Sequence, residues 1–223
     1  TRPDELLTQT LSGLLAQVEG FNADALGDVV IGCAMPEAEQ GMNIARISAL
    51  AAGIPQSVPA MTINRFCSSG LQSLAQAAAC IEAGWYDAAL TGGVESMSKV
   101  KMGGDRISPN PEIMANHPEI YVPMGITSEN VAQQYGVTRE EQDAFAARSH
   151  AKAADAIDSG RFKDEIIPIK TKVFDGTTWR DIIFSEDEGL RRSTTAEGLA
   201  KLRPVFSAKG TTTAGNASQV SDG

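Results

Sequence analysis

The sequence predicts a layered α/β protein with a largely parallel sheet, and three observations predict it. Apolar or amphipathic helical stretches alternate with short β-branched runs, and Gly and Pro punctuate the short links between them. The 223 residues are 42% hydrophobic, ample for a core, and at roughly 150 residues per domain they allow one large domain or two small ones.

Each element has its own local justification. From Pro3 to Val18, the residues Leu6, Leu7, Leu11, Leu14, Leu15 and Val18 recur at helical spacing between Pro3 and Gly20. Val29-Val30-Ile31-Gly32-Cys33, bounded by Gly27 and Pro36, reads as a buried strand. Asn43 caps a helix that presents Ile44, Ile47, Leu50 and Ala51 on one side and stops at Gly53 and Pro55. A second strand spans Val58 to Phe66 around Met61-Thr62-Ile63. The run Ser68 to Ile81 then reads as a helix ending at Gly84. Built of Ala, Ser and Leu with almost no charge before Glu82, this helix has no solvated face and is expected to be buried on all sides. Asp87 to Thr91 is a third strand, closed by Gly92-Gly93.

After Ser96 the pattern changes. Lys99 to Pro118 is rich in Gly, Pro, Asn and Met without a period, and a boundary is placed there. Thr138-Arg139-Glu140-Glu141 is a capping box that opens a helix through Phe145 and Ala154 to about Ser159. A strand at Glu165 to Ile169, a pair of polar segments around Trp179 to Phe184 and a short helix at Thr195 to Leu202 follow. Repeats and low-complexity tracts are not evident.

Composition narrows the function classes. With 28 acidic and 19 basic side chains, the formal charge of −9 opposes the phosphate neutralisation that nucleic-acid binding requires. No apolar run approaches the ~20 residues that span a bilayer, and Thr1-Arg2-Pro3-Asp4-Glu5 lacks the signal-peptide pattern, so a soluble intracellular protein is expected. Cys33, Cys67 and Cys80 fit neither a disulfide framework nor a metal motif, and with two histidines no metal site is expected. The opening Thr1 and the Gly- and Ser-rich stretch at Gly223 both read as cut ends.

Cys67 is the residue on which chemistry could be built. It lies between a strand and the first turn of the apolar helix, where free backbone N–H groups and the helix dipole favour a thiolate, and Ser68, Ser69 and Gly70 leave its sulfur reachable. Position alone leaves a second reading open, a small buried hydrophobe. Cys33 at a strand end and Cys80 within the helix read as inert core. His117, in the aperiodic loop, and His150, among Arg148, Ser149 and Lys152 on a solvated face, are the only imidazoles, and neither is placed to serve as the base a cysteine nucleophile needs. Gly92-Gly93 and Thr213-Ala214-Gly215-Asn216 read as turns or as anion cradles, and Arg191-Arg192 as a surface pair or a phosphate contact.

Four ordered motifs carry a resemblance: Asn64-Arg65-Phe66-Cys67-Ser68-Ser69-Gly70-Leu71-Gln72, Gly92-Gly93-Val94-Glu95-Ser96-Met97-Ser98, Met124-Gly125-Ile126-Thr127-Ser128-Glu129-Asn130-Val131-Ala132, and Thr213-Ala214-Gly215-Asn216-Ala217-Ser218. Together they resemble the thiolases over essentially the whole chain. The Ser-Ser-Gly after the cysteine, with Gln72, is more similar to degradative 3-ketoacyl-CoA thiolases than to acetoacetyl-CoA-forming ones.

The resemblance implies a thiolase-like layered fold, with an N-terminal α/β core of mixed sheet over 1–95, an α/β loop domain over 96–209 covering CoA, and a return to the core over 210–223. It implies that Cys67 takes the acyl group from 3-ketoacyl-CoA, releasing acetyl-CoA, and passes it to a second CoA, as in fatty-acid β-oxidation. Met124, Arg191, Phe206, Ala214 and Ser218 match CoA-contacting positions, Arg191 near the nucleotide and Ala214 and Ser218 along the pantetheine channel. Pro123 stands where a histidine often precedes the Met-Gly. Coenzyme A is expected as co-substrate, with no permanently bound cofactor, no nucleic acid and no membrane span. A homo-dimer or homo-tetramer is expected of the complete enzyme, in a bacterial cytoplasm or a peroxisome.

The family's Asn-Glu-Ala-Phe and Gly-His-Pro histidines and its Cys-x-Gly cysteine have no match here. The resemblance is therefore to the N-terminal half and loop domain, with the second core half absent and the chain inactive alone. The alternatives are a biosynthetic thiolase, a condensing ketosynthase of the same superfold, and, from another class, a noncatalytic CoA or acyl-chain binding module.

Overall fold

A computed structural model describes residues 1–223, in the order α1 (Pro3–Gln17), β1 (Asp28–Gly32), α2 (Ile44–Ala51), β2 (Ala60–Ile63), α3 (Ser69–Glu82), β3 (Ala89–Gly93), α4 (Pro111–Asn116), α5 (Met124–Tyr135), α6 (Arg139–Asp158), β4 (Ile169–Phe174), β5 (Trp179–Phe184) and α7 (Ala196–Leu199). The chain divides into two compact units, one of Thr1–Ile107, Ile167–Ser185 and Ser221–Gly223, the other of Ser108–Ile166 and Glu186–Val220. The junctions at 107/108 and 220/221 lie 12 and 11 residues beyond the divisions at 95/96 and 209/210 drawn from the sequence. The segment 167–185, placed with the loop domain by the sequence, lies in the first unit.

In the first unit, β2, β1 and β3 form a parallel sheet with β1 central, paired from Val29↔Ala60 to Gly32↔Ile63 and from Asp28↔Ala89 to Gly32↔Gly93. The three strands are wholly parallel where a mixed sheet was expected, and the antiparallel pair β4–β5 forms a separate hairpin. Alternation along β1 sends Val29 and Ile31 into a core with Leu7 and Leu11 of α1 and Ile44, Ala45 and Ala49 of α2. Gly32 faces α3 instead, since a Cβ built on it would lie 2.4 Å from the Ser69 carbonyl carbon. Helices thus follow β1 and β2 on opposite faces of the sheet.

Asn43 caps α2 as expected, but from a left-handed backbone (φ 58°): its Oδ1 accepts from Arg46 N–H and Thr62 Oγ1–H, and its Nδ2 donates to the Ala60 carbonyl. The third strand begins two residues later than the sequence reading. The strand expected at Glu165 to Ile169 is displaced to Ile169–Phe174, where Gln9 of α1 exchanges two hydrogen bonds with the Lys170 backbone. The largest departure is α3. Only Ser69, Ser73 and Ala77 are buried, against the sheet, whereas Leu71 is 71% and Leu74 54% exposed. An apolar helix on one face of a sheet receives cover from one side, and no other element of this unit lies over the rest.

In the second unit, Thr138 and Glu141 form the expected capping box, and α6 runs to Asp158. The Met124–Tyr135 helix was not legible, because Pro123 provides no side-chain cap and the helix buries only Ala132. Thr195 caps α7, its hydroxyl accepting from Gly198 N–H. No helix of either unit is long and apolar enough to cross a membrane.

Candidate active site

The turn from β2 into α3 is built to expose a cysteine. After Ile63 the chain makes a 3-10 turn over Phe66–Ser68 before α3 begins at Ser69. Phe66 has φ 46°, a left-handed conformation that costs a bulky residue on the order of 1–3 kcal/mol and survives only where its surroundings enforce it. Those surroundings are explicit: Phe66 N–H donates to Asn64 Oδ1 at 2.8 Å, and the Phe66 carbonyl accepts from Ser69 Oγ at 2.6 Å. Arg65 N–H donates to the same Ser69 hydroxyl at 2.8 Å, and Ser68 Oγ caps the Arg65 carbonyl at 3.0 Å. Cys67 follows the strained residue and is exposed, which removes the buried-hydrophobe reading.

Gly32 allows the helix this close, since a Cβ there would stand 2.4 Å from the Ser69 carbonyl carbon. The buried Ser73 hydroxyl donates to the Gly92 carbonyl at 3.0 Å and ties α3 to the end of β3, whereas a Cβ on Gly70, Gly92 or Gly93 would meet nothing closer than 3.4 Å. Cys33 is buried at 1% exposure, and burial together with the neighbouring Glu95 carboxylate pushes its thiol up to about 12, so it is inert as expected. Cys80, expected in the core, is only partly buried. Burial, and then the neighbouring Cys80 thiol, push the Tyr86 phenol up to about 12.

Both histidines lie in the second unit, so the unit that carries Cys67 contains none. His117 is exposed, 3.2 Å from Glu119. His150 is half-buried rather than on a solvated face, and its Nδ1 accepts the Arg191 N–H at 3.2 Å. That acceptor role was not foreseen, and nothing in the local sequence signals it.

The residues matched to CoA contacts, Met124, Arg191, Phe206, Ala214 and Ser218, all belong to the second unit and all are exposed. The Phe206 ring lies against Gly125, where a Cβ would meet it at 2.2 Å, so Phe206 and Met124 are neighbours. Gly189 lies against Gln219, which brings the segment of Arg191 beside that of Ser218. Arg192 pairs with Asp158 at 2.9 Å, whereas the Arg191 guanidinium has no ion-pair partner. The turn carrying Ala214 is firmly held: Asn216 Nδ2 donates to the buried Asp143 at 2.9 Å, and Asp143 pairs with Arg139 at 2.7 Å. Burial pushes the Glu129 carboxyl up. Hydrogen bonds from the Thr211 and Thr212 backbone N–H groups and the Thr211 hydroxyl outweigh this and hold it below the usual range. No cluster of three His, Cys, Asp or Glu side chains is arranged to hold a metal ion.

A reactive-looking cysteine on a strained strand-to-helix turn occurs on several folds, and comparison with known proteins decides among them. The family model described as Thiolase, N-terminal domain, matches residues 1–223. The chain belongs to the thiolase family. Among curated thiolases, it is 50% identical to the 3-ketoacyl-CoA thiolase of Bacillus subtilis (strain 168), covering all of this chain and 58% of that one. It is 46% identical to the peroxisomal 3-ketoacyl-CoA thiolase of Homo sapiens, covering all of this chain and 53% of the relative. The solved acetyl-CoA acetyltransferase of Bacillus anthracis superposes with a TM-score of 0.82 at 37% identity, over this whole chain and 58% of that one. The thiolase-like fold is thus shown, and the chain spans about half the length of the relatives it matches.

Proposed function

We propose that this thiolase chain carries the nucleophile and the CoA-covering part of a degradative enzyme that cleaves 3-ketoacyl-CoA with free CoA. The observation that carries the reading is the exposed Cys67 on a strained turn at the carboxyl ends of the parallel strands. The Cys67 thiol gives up its proton as its sulfur attacks the 3-keto carbon, and the C2–C3 bond breaks. The acyl group remains on sulfur as a thioester, and the electron pair departs on C2 of acetyl-CoA, which takes up a proton. The thiol of a second CoA then loses its proton and attacks the thioester carbon, and the Cys67 sulfur leaves and takes up a proton.

The names of the relatives support the substrate class, 3-ketoacyl-CoA. Met124, Arg191, Phe206, Ala214 and Ser218 are the residues we assign to CoA, with the unpaired Arg191 guanidinium facing a phosphate. Coenzyme A is co-substrate, and no step calls for a resident cofactor. One relative is bacterial and the other peroxisomal, and the proposal carries the same two compartments, a bacterial cytoplasm or a peroxisome. The uncovered apolar side of α3 supports assembly of the complete enzyme into a homo-dimer or homo-tetramer.

Incubation with a 3-ketoacyl-CoA followed by peptide mapping tests the reading. An acyl mass on the Cys67 peptide, absent from the Cys33 and Cys80 peptides, is expected, and acylation elsewhere overturns it. A noncatalytic CoA-binding role for residues 1–223 by themselves is favoured by one observation, the absence of any histidine from the unit of Cys67. Missing acid–base help costs about 10²–10⁴ in rate. We therefore expect this polypeptide to bind CoA without turnover at enzymatic rates, and such turnover would refute the expectation.

A further inference from the structure

We infer that Asn64 and Glu95 are positioning residues for Cys67, acting through the left-handed backbone of Phe66. The inference rests on Cys67 being the reactive thiol and assigns what holds it in place.

The backbone ladder of the sheet runs out at Cys33 N–H to the Ile63 carbonyl (2.9 Å) and Val94 N–H to the Gly32 carbonyl (3.0 Å). Beyond it, side chains alone tie the three strand ends together. Glu95, just past β3, accepts from Ala34 N–H at 2.7 Å and Met35 N–H at 3.3 Å, just past β1. The Ala34 carbonyl accepts from Asn64 Nδ2 at 3.0 Å, just past β2, and Asn64 Oδ1 accepts from Phe66 N–H. The Glu95 carboxylate is itself fixed by Gln40, a fully buried amide. Gln40 Nε2 donates to Glu95 at 2.6 Å and to the Met35 carbonyl at 2.7 Å, and its oxygen accepts from Ser96 N–H at 2.5 Å.

The network therefore runs from a buried amide through a carboxylate, a peptide and a second amide to one torsion, that of Phe66, immediately before Cys67. Asn64 is the only side chain bonded to the Phe66 N–H. Without it, Phe66 is free to relax to a negative φ. The 3-10 turn then unwinds, and the Cys67 sulfur loses its fixed, exposed position just before α3.

Native-state alkylation by iodoacetamide, quantified by peptide mapping, tests this, with Cys80 of the same helix as reference outside the network. Asn64→Ala should slow labelling of Cys67 about five- to tenfold and leave Cys80 unchanged. Adding Phe66→Gly should restore the Cys67 rate, because glycine takes a positive φ without a clamp. Asn64→Asp keeps the acceptor for Phe66 N–H and loses the donor to Ala34, so its rate should fall between those of the parent and Asn64→Ala. Glu95→Gln sets a donor against Ala34 N–H or Gln40 Nε2 and should also slow Cys67. An unchanged Cys67 rate in Asn64→Ala overturns the inference, as does slowing that Phe66→Gly fails to restore. If Asn64→Ala unfolds, shown by labelling of the buried Cys33, refolding on addition of Phe66→Gly supports the inference and continued unfolding overturns it. In the parent, faster labelling of Cys33 or Cys80 than of Cys67 counts against Cys67 as the nucleophile, a separate failure.

Discussion

Gly32 is where the position of the nucleophile is most sensitive to a single methyl group. A Cβ at this position would stand 2.4 Å from the Ser69 carbonyl carbon, 2.6 Å from Gly70 N and 2.6 Å from Ser69 Cβ. Nonbonded carbons rest at about 3.5–4.0 Å, so in Gly32→Ala the first turn of α3 must retreat by about 1 Å. Two of the three atoms are backbone and cannot swing aside as a long side chain would. Overpacking of this kind costs about 1–3 kcal/mol. With a urea slope of about 2 kcal/mol per molar, a loss of about 2 kcal/mol lowers the midpoint by about 1 M. Both tryptophans, Trp85 and Trp179, lie in the unit that contains Gly32, so intrinsic fluorescence follows the relevant transition. Gly70→Ala is the control on the opposite wall. Its Cβ would meet nothing closer than 3.9 Å, and an alanine inside α3 should be neutral or stabilise by up to about 1 kcal/mol. An unchanged urea midpoint in Gly32→Ala, or an equal loss in Gly70→Ala, would refute the packing argument.

Asn43→Ala removes a helix cap, two further hydrogen bonds and a residue suited to φ 58°, so the fluorescence midpoint should report a loss of about 1–2 kcal/mol, with Asn43→Gly milder. Glu129 has a folded value below its ordinary one, so its stabilisation is fully present above about pH 4.5 and is lost as pH falls through the depressed folded value. Hydrogen-exchange protection of the Thr211 and Thr212 amides should fall across that acid window, and Glu129→Gln should remove this dependence; protection independent of pH in the parent contradicts the assignment. Arg191→Ala in a complete enzyme should weaken CoA binding by about 1.5–3 kcal/mol, and Arg192→Ala by less because its charge is already engaged by Asp158. Added salt should narrow the difference, and equal losses in a calorimetric titration would withdraw Arg191 as a contact.

What the sequence discloses and what it hides follow from the range of the interactions involved. The Thr138–Glu141 capping box is satisfied within four residues, so α6 was legible at its start. The hairpin β4–β5 also carries a local signal, Asp175-Gly176, which the sequence reading passed over. Asp175 accepts from Thr178 and Thr177 backbone N–H groups and from the Thr177 hydroxyl, bonds that hold its carboxyl down to about 2. The alternation of Lys170 and Lys172 with Thr171 and Val173 gives that strand no buried signature, and four of its six residues are indeed exposed.

The site divides in the same way. Cys67 at a strand-to-helix junction was visible because the junction is a local event, coded by β-branched residues before it and small residues after it. Its geometry was not visible, because φ at Phe66 is enforced by Asn64, which reaches Ala34, which in turn is held by Glu95. Three strand ends must come together before those side chains share a network, and no window of sequence contains all three. For this reason Glu95 carries no role that its own motif discloses. The same logic explains why α3 was expected to be buried on every side while Leu71 and Leu74 stand exposed. An uncharged helix records the environment in which it functions, whereas the sheet of its own unit can contact only the face of Ser69, Ser73 and Ala77. The apolar remainder of that helix is thus a property of the sequence that this chain's own packing leaves unused, and it lies on the element that carries the nucleophile.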